Sequence, residues 1–227
     1  DQPRSRGLGD VYKRQQLFER HPAVREGQTS FLIEDPLYFG GDPRWPLEVH
    51  KLRLVLHRAS MKAWAQGKRN VCYIDTPEAG VGSLELLERV LPVDVQKMEC
   101  ADPCDDILLR RLRRFAQERG IELVIHASPN FLTPPALLEK FTGLSRKRPF
   151  MADFYKAQRQ RMGILIENDG SPTGGKWSFD DENRRRFADH DCVPPEPRMT
   201  PNEQVREAQA YIEQRFPNNP GHVEHFH

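Results

Sequence analysis

Short apolar runs that alternate with longer amphipathic stretches are the feature that most constrains the fold of this 227-residue chain. The runs lie at residues 30–33, 71–74, 93–98 and 121–125, and each is short enough to be a buried strand. The stretches between them carry helical periodicity or helix-start signals, at residues 48–66, 83–90 and 102–120. Strands that alternate with helices predict an α/β fold with a parallel, doubly wound sheet.

The helix predicted over residues 48–66 has an apolar stripe that is expected to face the core. Residues repeat there at intervals of three and four, which places them on one side of a helix, namely Leu52, Val55, Leu56, Ala59 and Ala63. His50, Lys51 and Arg58 are predicted to project away from that stripe.

The composition changes at Pro134 and Pro135, where the compact α/β domain over residues 16–133 is predicted to end. Residues 134–227 combine short helices, prolines and charged loops, so we interpret them as a mostly helical or irregular interdomain linker. Thr200 and Glu203 have capping-box spacing, which predicts a further helix to about Phe216.

Residues 1–15 have neither apolar periodicity nor strand character. We interpret them as a non-native leader, similar to translated sequencing-adaptor read-through, that packs poorly and adds little stability. A disordered basic arm is the alternative.

Charge and composition exclude several classes of protein. Lys and Arg number 34 against 33 Asp and Glu, so no global field favours nucleic acid. No apolar run reaches the length of a membrane span, and no signal peptide is recognisable, which predicts a cytoplasmic protein. The four cysteines have irregular spacing and are interpreted as free thiols rather than metal ligands. Nothing in the sequence resembles a P-loop, a GxGxxG motif or a catalytic triad.

Glu34 and Asp35 follow the first predicted strand directly and are the best carboxylates for a small-molecule site. Ligands of open α/β sheets bind at the carboxyl ends of strands. Helix capping or a loop salt bridge is the alternative role for the two side chains, and the sequence leaves both open.

Residues 154–186 form the most unusual stretch, FYKAQRQRMGILIENDGSPTGGKWSFDDENRRR. Gly174 and Gly175 predict a turn with positive φ, and Trp177 and Phe179 suggest a hairpin held by two aromatic rings. The triplet Arg184, Arg185 and Arg186 follows, and its guanidinium groups suit phosphate oxygens. Asp180, Asp181 and Glu182 could neutralise the same arginines, so an internally paired surface is the alternative.

This stretch resembles the photolyase-related branch of the cryptochrome/photolyase family, whose bacterial (6–4) photolyases carry an iron–sulfur cluster. The resemblance rests on an FYKxQRxRxGILI helix end, a PxGGKWxFD element and an ENR tail. The segments HKLRLVLHRASM and SPNFL also fit the family pattern. The resemblance implies a Rossmann-like antenna domain and then the linker, as the N-terminal fragment of a longer protein.

The resemblance also implies cofactors and site residues. It implies a ribityl-lumazine antenna chromophore in the first domain, at Gln16, Glu34, Asp35, Tyr38 and His50. The Gly-Asp that precedes Gln16 in the family turn is missing here, and the strand before it is missing or replaced. FAD, the iron–sulfur cluster and the catalytic residues would belong to an absent C-terminal helical domain, so no catalytic or metal-binding residue is assigned.

The function implied by the resemblance is light-dependent repair of damaged DNA by a carbon–carbon lyase that acts as a monomer. The fragment alone is expected to be inactive and to bind no FAD. Contact with DNA would come from the linker, at Lys176, Trp177, Arg184, Arg185 and Arg186. Three alternatives remain open: a blue-light receptor without repair activity, a nucleotide-binding Rossmann-like domain, and a nucleic-acid adaptor that uses only the basic linker.

Overall fold

The computed structural model describes residues 7–11, 16–143, 150–180, 186, 192–195, 199–224 and 226. The chain divides into two compact units. The first comprises Asp1–Asn130 together with Arg198–His227, and the second comprises Phe131–Pro197.

A five-stranded parallel sheet is the framework of the first unit. Its strands are β1 (Gly7–Val11), β2 (Thr29–Ile33), β3 (Val71–Ile74), β4 (Lys97–Ala101) and β5 (Glu122–His126). They lie in the order β3-β2-β1-β4-β5, and every neighbouring pair is parallel. The predicted alternation of strands and helices is confirmed, although the third predicted strand begins four residues later, at Lys97 rather than at residue 93.

The strand at the centre of the sheet lies in the segment for which the sequence predicts no strand. Gly7–Val11 pairs with β2 on one side and with β4 on the other, so the prediction for residues 1–15 is wrong at β1. The physical reason is that sheet pairing uses backbone N–H and C=O groups, which any extended segment supplies whatever its side-chain pattern. The interpretation of residues 1–15 as a non-native leader stays a prediction.

Helices connect the strands, and most of them begin at a capping residue. The helices are α1 (Pro36–Phe39), α2 (Lys51–Ala65), α3 (Ser83–Val90) and α4 (Asp106–Arg119). Asp35 caps α1, His50 caps α2 and Asp105 caps α4, each by accepting a backbone N–H of the first turn. Helix α4 ends at Gly120, whose φ of 65° is left-handed.

The buried face of α2 differs from the predicted stripe. Val55 and Ala59 are buried as predicted, but Leu54, Met61 and the charged residues Lys51 and Arg58 are buried as well. Apolar periodicity cannot detect a buried cation, because such a residue is tolerated only when distant carboxylates pair with it.

Helix α7 (Glu203–Arg215) belongs to the first unit, which differs from the predicted linker over residues 134–227. It packs against α2 and buries Ala208 and Ile212 completely. These residues are four positions apart and therefore share one helix face. Asn202, rather than the predicted Thr200, caps the helix by accepting from Val205 N at 2.9 Å.

The second unit contains α5 (Pro135–Gly143), α6 (Met151–Met162) and a short hairpin. Ile166 and Pro172 form an antiparallel bridge, and Thr173 N donates to Leu165 O at 2.9 Å, so a short hairpin precedes Gly174. That a hairpin is held by the rings of Trp177 and Phe179 stays a prediction. Gly174 and Gly175 have φ of 78° and 74°, as predicted. A Cβ on Gly174 would lie 2.9 Å from the Phe179 ring, so a side chain there would collide with it.

Candidate ligand site at the carboxyl edge of the sheet

Glu34 and Asp35 lie at the carboxyl end of β2 and enter two different polar networks. Glu34 is fully buried, and both of its carboxylate oxygens accept hydrogen bonds. Oε1 accepts from Arg58 at 2.6 Å and from the Tyr73 hydroxyl at 2.6 Å. Oε2 accepts from the backbone N–H and the hydroxyl of Thr76 at 2.9 and 2.6 Å. These contacts correspond to the salt-bridge alternative, and they leave the Glu34 carboxylate no exposed surface for a ligand.

Arg58 of α2 is the cation at the centre of the Glu34 network. Its side chain is 3% exposed, and it also contacts Asp75 at 2.7 Å and Glu207 of α7 at 2.6 Å. The guanidinium lies 3.5 Å from the centre of the Tyr211 ring. Burial alone would lower the pKa of Arg58, but hydrogen bonds to Glu207 and the charge of Glu34 raise it above its ordinary value. Arg58 is therefore charged, and it ties α2, β2 and α7 together.

Asp35 has the one carboxylate oxygen of this edge that is buried without a partner among the described residues. Its Oδ1 accepts from Leu37 N at 2.9 Å and from the Ser83 hydroxyl at 2.7 Å, whereas Oδ2 has no hydrogen bond. Burial raises the pKa of Asp35 to about 6. The helix-capping alternative thus accounts for Oδ1 of Asp35, but it does not account for the burial of Oδ2.

Ser83 connects Asp35 to a buried ion pair. Arg111 of α4 donates to the Ser83 hydroxyl at 2.7 Å and to Asp42 Oδ1 at 3.0 Å. Burial would raise the pKa of Asp42, but hydrogen bonds from Arg111 and from Arg44 N outweigh it and lower that pKa. Asp42 is therefore ionised, and the chain of contacts joins the end of β2 to α3 and α4.

Gln16 and Tyr38 also lie at this edge, but His50 does not join them. Gln16 Nε2 donates to the carbonyl of Ala101, the last residue of β4, at 2.7 Å. Burial, followed by a hydrogen bond and the charge of Asp105, raises the pKa of Tyr38 above its ordinary value. His50 instead caps α2, and its ring lies against Gly221.

A cavity of about 470 Å³ opens beside the Asp35–Ser83–Arg111 contacts. Three segments line it: residues 42–45, the start of α3 at residues 82–85, and one face of α4. The α4 face carries Ile107, Arg110, Arg111 and Arg114. No ligand site was predicted at these arginines from the sequence, although their spacing of three and four residues was the available signal.

The predicted DNA-contacting residues lie in the second unit. Lys176 and Arg186 are exposed, Trp177 is half-buried, and Arg184 and Arg185 lie outside the described residues. Arg159 of α6, which the sequence did not indicate, is 4% exposed. It donates to the carbonyls of Ile164 and Trp177 at 3.3 and 3.0 Å and thereby holds the hairpin against the helix.

The described ranges contain neither a metal-binding cluster nor a membrane-spanning helix. Within those ranges, no three His, Cys, Asp or Glu side chains are grouped so that they could hold a metal ion. No helix in the same part of the chain is long and apolar enough to cross a bilayer.

Comparison with known proteins supports the sequence resemblance. The family model described as "Deoxyribodipyrimidine photo-lyase-related protein" matches residues 13–227. An uncharacterized protein of Acanthamoeba polyphaga mimivirus is 29% identical over 161 residues, which cover 68% of this chain and 80% of that protein. A (6-4) photolyase of Agrobacterium fabrum is 26% identical over 184 residues, which cover 78% of this chain but 36% of the photolyase. The resemblance to photolyase-related proteins is confirmed, and the chain belongs to the deoxyribodipyrimidine photo-lyase-related protein family.

Proposed function

We propose that this chain is the antenna domain and linker of a light-dependent, photolyase-type DNA lyase. The observation that carries the proposal is the family match over residues 13–227, together with a relative named as a (6-4) photolyase. Because the chain aligns with 36% of that photolyase, we propose the repair activity for a polypeptide that contains further residues. Light-dependent loss of photoproducts from damaged DNA is the test.

We also propose that the first unit is a doubly wound, Rossmann-like antenna domain. The parallel strand order β3-β2-β1-β4-β5 supports this, because the order reverses beside β1, and ligands of such sheets bind outside the carboxyl ends of strands near that point. Packing of α2 against α7 and of α3 against α4 is consistent with two helical layers.

We propose that a ribityl-lumazine antenna chromophore binds at this edge, near Gln16, Asp35 and Tyr38. The fit rests on Asp35 Oδ2, a buried acceptor without a partner among the described residues. A ribityl hydroxyl is a donor that would satisfy it. Glu34 would act indirectly, because its own oxygens are occupied by Arg58, Tyr73 and Thr76. His50 would act only through the position of α2, which it caps.

Asp35→Asn is expected to weaken binding of ribityl-lumazine about tenfold, because an amide nitrogen replaces one carboxylate acceptor. Quenching of lumazine fluorescence measures the affinity, and Asp75→Asn, at the end of the neighbouring strand β3, is the matched control. Since the pKa of Asp35 is raised to about 6, wild-type affinity should increase as the carboxyl ionises between about pH 5 and about pH 7. Equal affinity of Asp35→Asn and wild type would show that the chromophore site is placed wrongly.

FAD and an iron–sulfur cluster remain proposals for residues beyond this chain. When bound, FAD supplies the light-driven electron that splits the pyrimidine photoproduct. The described cysteines do not fit a cluster, because Cys100 is buried and Cys72, Cys104 and Cys192 are exposed without grouping. We therefore assign neither group to a residue of this chain.

We propose that the linker contacts damaged DNA through Lys176, Trp177 and the triplet Arg184, Arg185 and Arg186. Arg159 and Lys156 support the proposal, because their cationic groups lie 5.3 and 4.8 Å from the centre of the Trp177 ring. These two contacts, together with the hydrogen bond from Arg159 to the Trp177 carbonyl, hold Trp177 in place next to Lys176. A fixed aromatic ring between cationic side chains suits an unstacked base and its phosphates.

Changing all three arginines of the triplet to alanine is expected to lower DNA affinity about 100-fold at low salt. The slope of log K against log salt should also fall by roughly two to three, because each phosphate contact releases a counterion. Electrophoretic mobility shifts at several salt concentrations measure both quantities in the complete protein. The matched control changes three exposed cations of the first unit, Arg53, Lys68 and Arg69, to alanine. If the two triple variants lose affinity equally, the triplet is only part of a general charge effect.

A further inference from the structure

The cavity between residues 42–45, α3 and α4 has features that the antenna proposal does not use. None of the five predicted antenna residues lines it. Its volume of about 470 Å³ lies within the range typical of small-molecule sites. Four arginines line the cavity, and only two carboxylates do, those of Asp42 and Glu85. The arginines are Arg44, Arg110, Arg111 and Arg114. Glu85 is already bonded to Arg89 at 2.6 Å, so the cavity favours an anionic ligand.

Two of the four arginines are held weakly enough to exchange partners. Arg110 pairs with Asp106 and Arg114 pairs with Glu118, each one helical turn apart and exposed to solvent. Such pairs contribute little to stability, because water and salt screen them. A phosphate could therefore replace those carboxylates at low cost. Arg111, in contrast, is paired with the buried carboxylate of Asp42, so we expect it to keep that partner when a ligand binds.

The start of α3 adds backbone donors to the same cavity. Gly82, the residue before the helix, makes no side-chain cap. The Ser83 hydroxyl bonds to Asp35 and to Arg111 instead of to the helix. The first-turn N–H groups of residues 83–85 lack intrahelical acceptors, and such groups bind phosphate.

Trp45 supplies an aromatic surface beside the arginines that line the cavity. It lines the cavity and is 51% exposed, although Trp45 N is anchored by Asp42 Oδ1 at 3.1 Å. Exposed tryptophans that sit on anchored backbone are suited to stacking with planar rings.

From these features we propose that this cavity binds a free nucleotide, with its phosphates between Arg110, Arg114 and the first turn of α3, and its base against Trp45. The guanidinium groups and the N–H groups without intrahelical acceptors suit the phosphates, and the Trp45 indole suits the base.

Titration calorimetry of the whole chain with ADP, pyrophosphate and adenosine tests the proposal. ADP should bind most tightly, pyrophosphate should bind measurably, and adenosine should bind at least about tenfold more weakly than ADP, because it lacks the charged contacts. Adenosine that binds as tightly as ADP, or no binding of ADP at all, would overturn the proposal.

Paired variants locate the site. Arg110→Gln with Arg114→Gln should weaken ADP and pyrophosphate about 100-fold, at roughly tenfold for each charge-assisted contact. Arg113→Gln, an exposed arginine on the same helix that does not line the cavity, is the control and should leave both affinities unchanged. Trp45→Ala should weaken ADP while sparing pyrophosphate. Equal losses in the double variant and in Arg113→Gln, or loss of duplex DNA binding without any ADP binding, would overturn the assignment to a free nucleotide.

Discussion

Glu34→Ala is expected to lower the free energy of unfolding of the first unit by about 3–5 kcal/mol, as measured by urea denaturation. The substitution leaves Arg58, which is 3% exposed, without its fully buried partner. It also removes the acceptor of the Tyr73 hydroxyl and of the Thr76 N–H and hydroxyl. Buried donors without acceptors carry their full desolvation cost, which accounts for the large size of the effect.

Asp75→Ala is the matched control, because Asp75 accepts from the same Nη1 of Arg58 but is 55% exposed. Its loss should cost less than about 1 kcal/mol, since water can replace an exposed carboxylate. Glu34→Gln should fall between the two, because the amide keeps one acceptor oxygen. A Glu34→Ala variant no less stable than Asp75→Ala would contradict the buried network.

The same variant separates the two roles considered for Glu34. If Glu34 acts through structure, loss of lumazine binding in Glu34→Ala should accompany loss of folded protein. Asp35→Asn, in contrast, should lose binding in a folded protein. The distinction follows from the geometry: both Glu34 oxygens accept hydrogen bonds, whereas Asp35 Oδ2 has no partner among the residues that the structure describes.

The sequence predicted those parts of the fold that are determined by residues close together in the chain. Alternating apolar runs predicted β2 to β5 and α2 to α4 of the first unit, because each of these elements buries its own side chains. Adjacent glycines predicted the positive φ at Gly174 and Gly175, because the absence of a Cβ is a property of the residue itself. Capping by Asp35 was foreseen as one of two alternatives for the same reason.

The rest depends on partners that are far apart in the chain. Arg58 and Glu207 are separated by 149 positions, so no local pattern indicates that a cation of α2 is buried beneath α7. Strand β1 was missed because backbone pairing with β2 and β4 requires no particular side chains. The arginine cavity was missed for a different reason: the spacing of Arg110, Arg111 and Arg114 gives their common face, but not what lies opposite.

Repair in light and not in darkness is the second large effect that we expect. The difference should be close to complete, because the proposed splitting of the photoproduct requires an electron donor that is excited by light. This expectation rests on the family match over residues 13–227 and on the 26% sequence identity to a (6-4) photolyase.

The direct measurement uses the protein encoded by the complete reading frame that contains these residues. Ultraviolet-irradiated DNA is incubated with it under blue light or in darkness, and (6–4) products and cyclobutane dimers are quantified by mass spectrometry. The proposed function predicts that at least one lesion disappears under light and persists in darkness. Equal amounts of both lesions in light and in darkness, from folded protein that retains flavin absorbance, would contradict it.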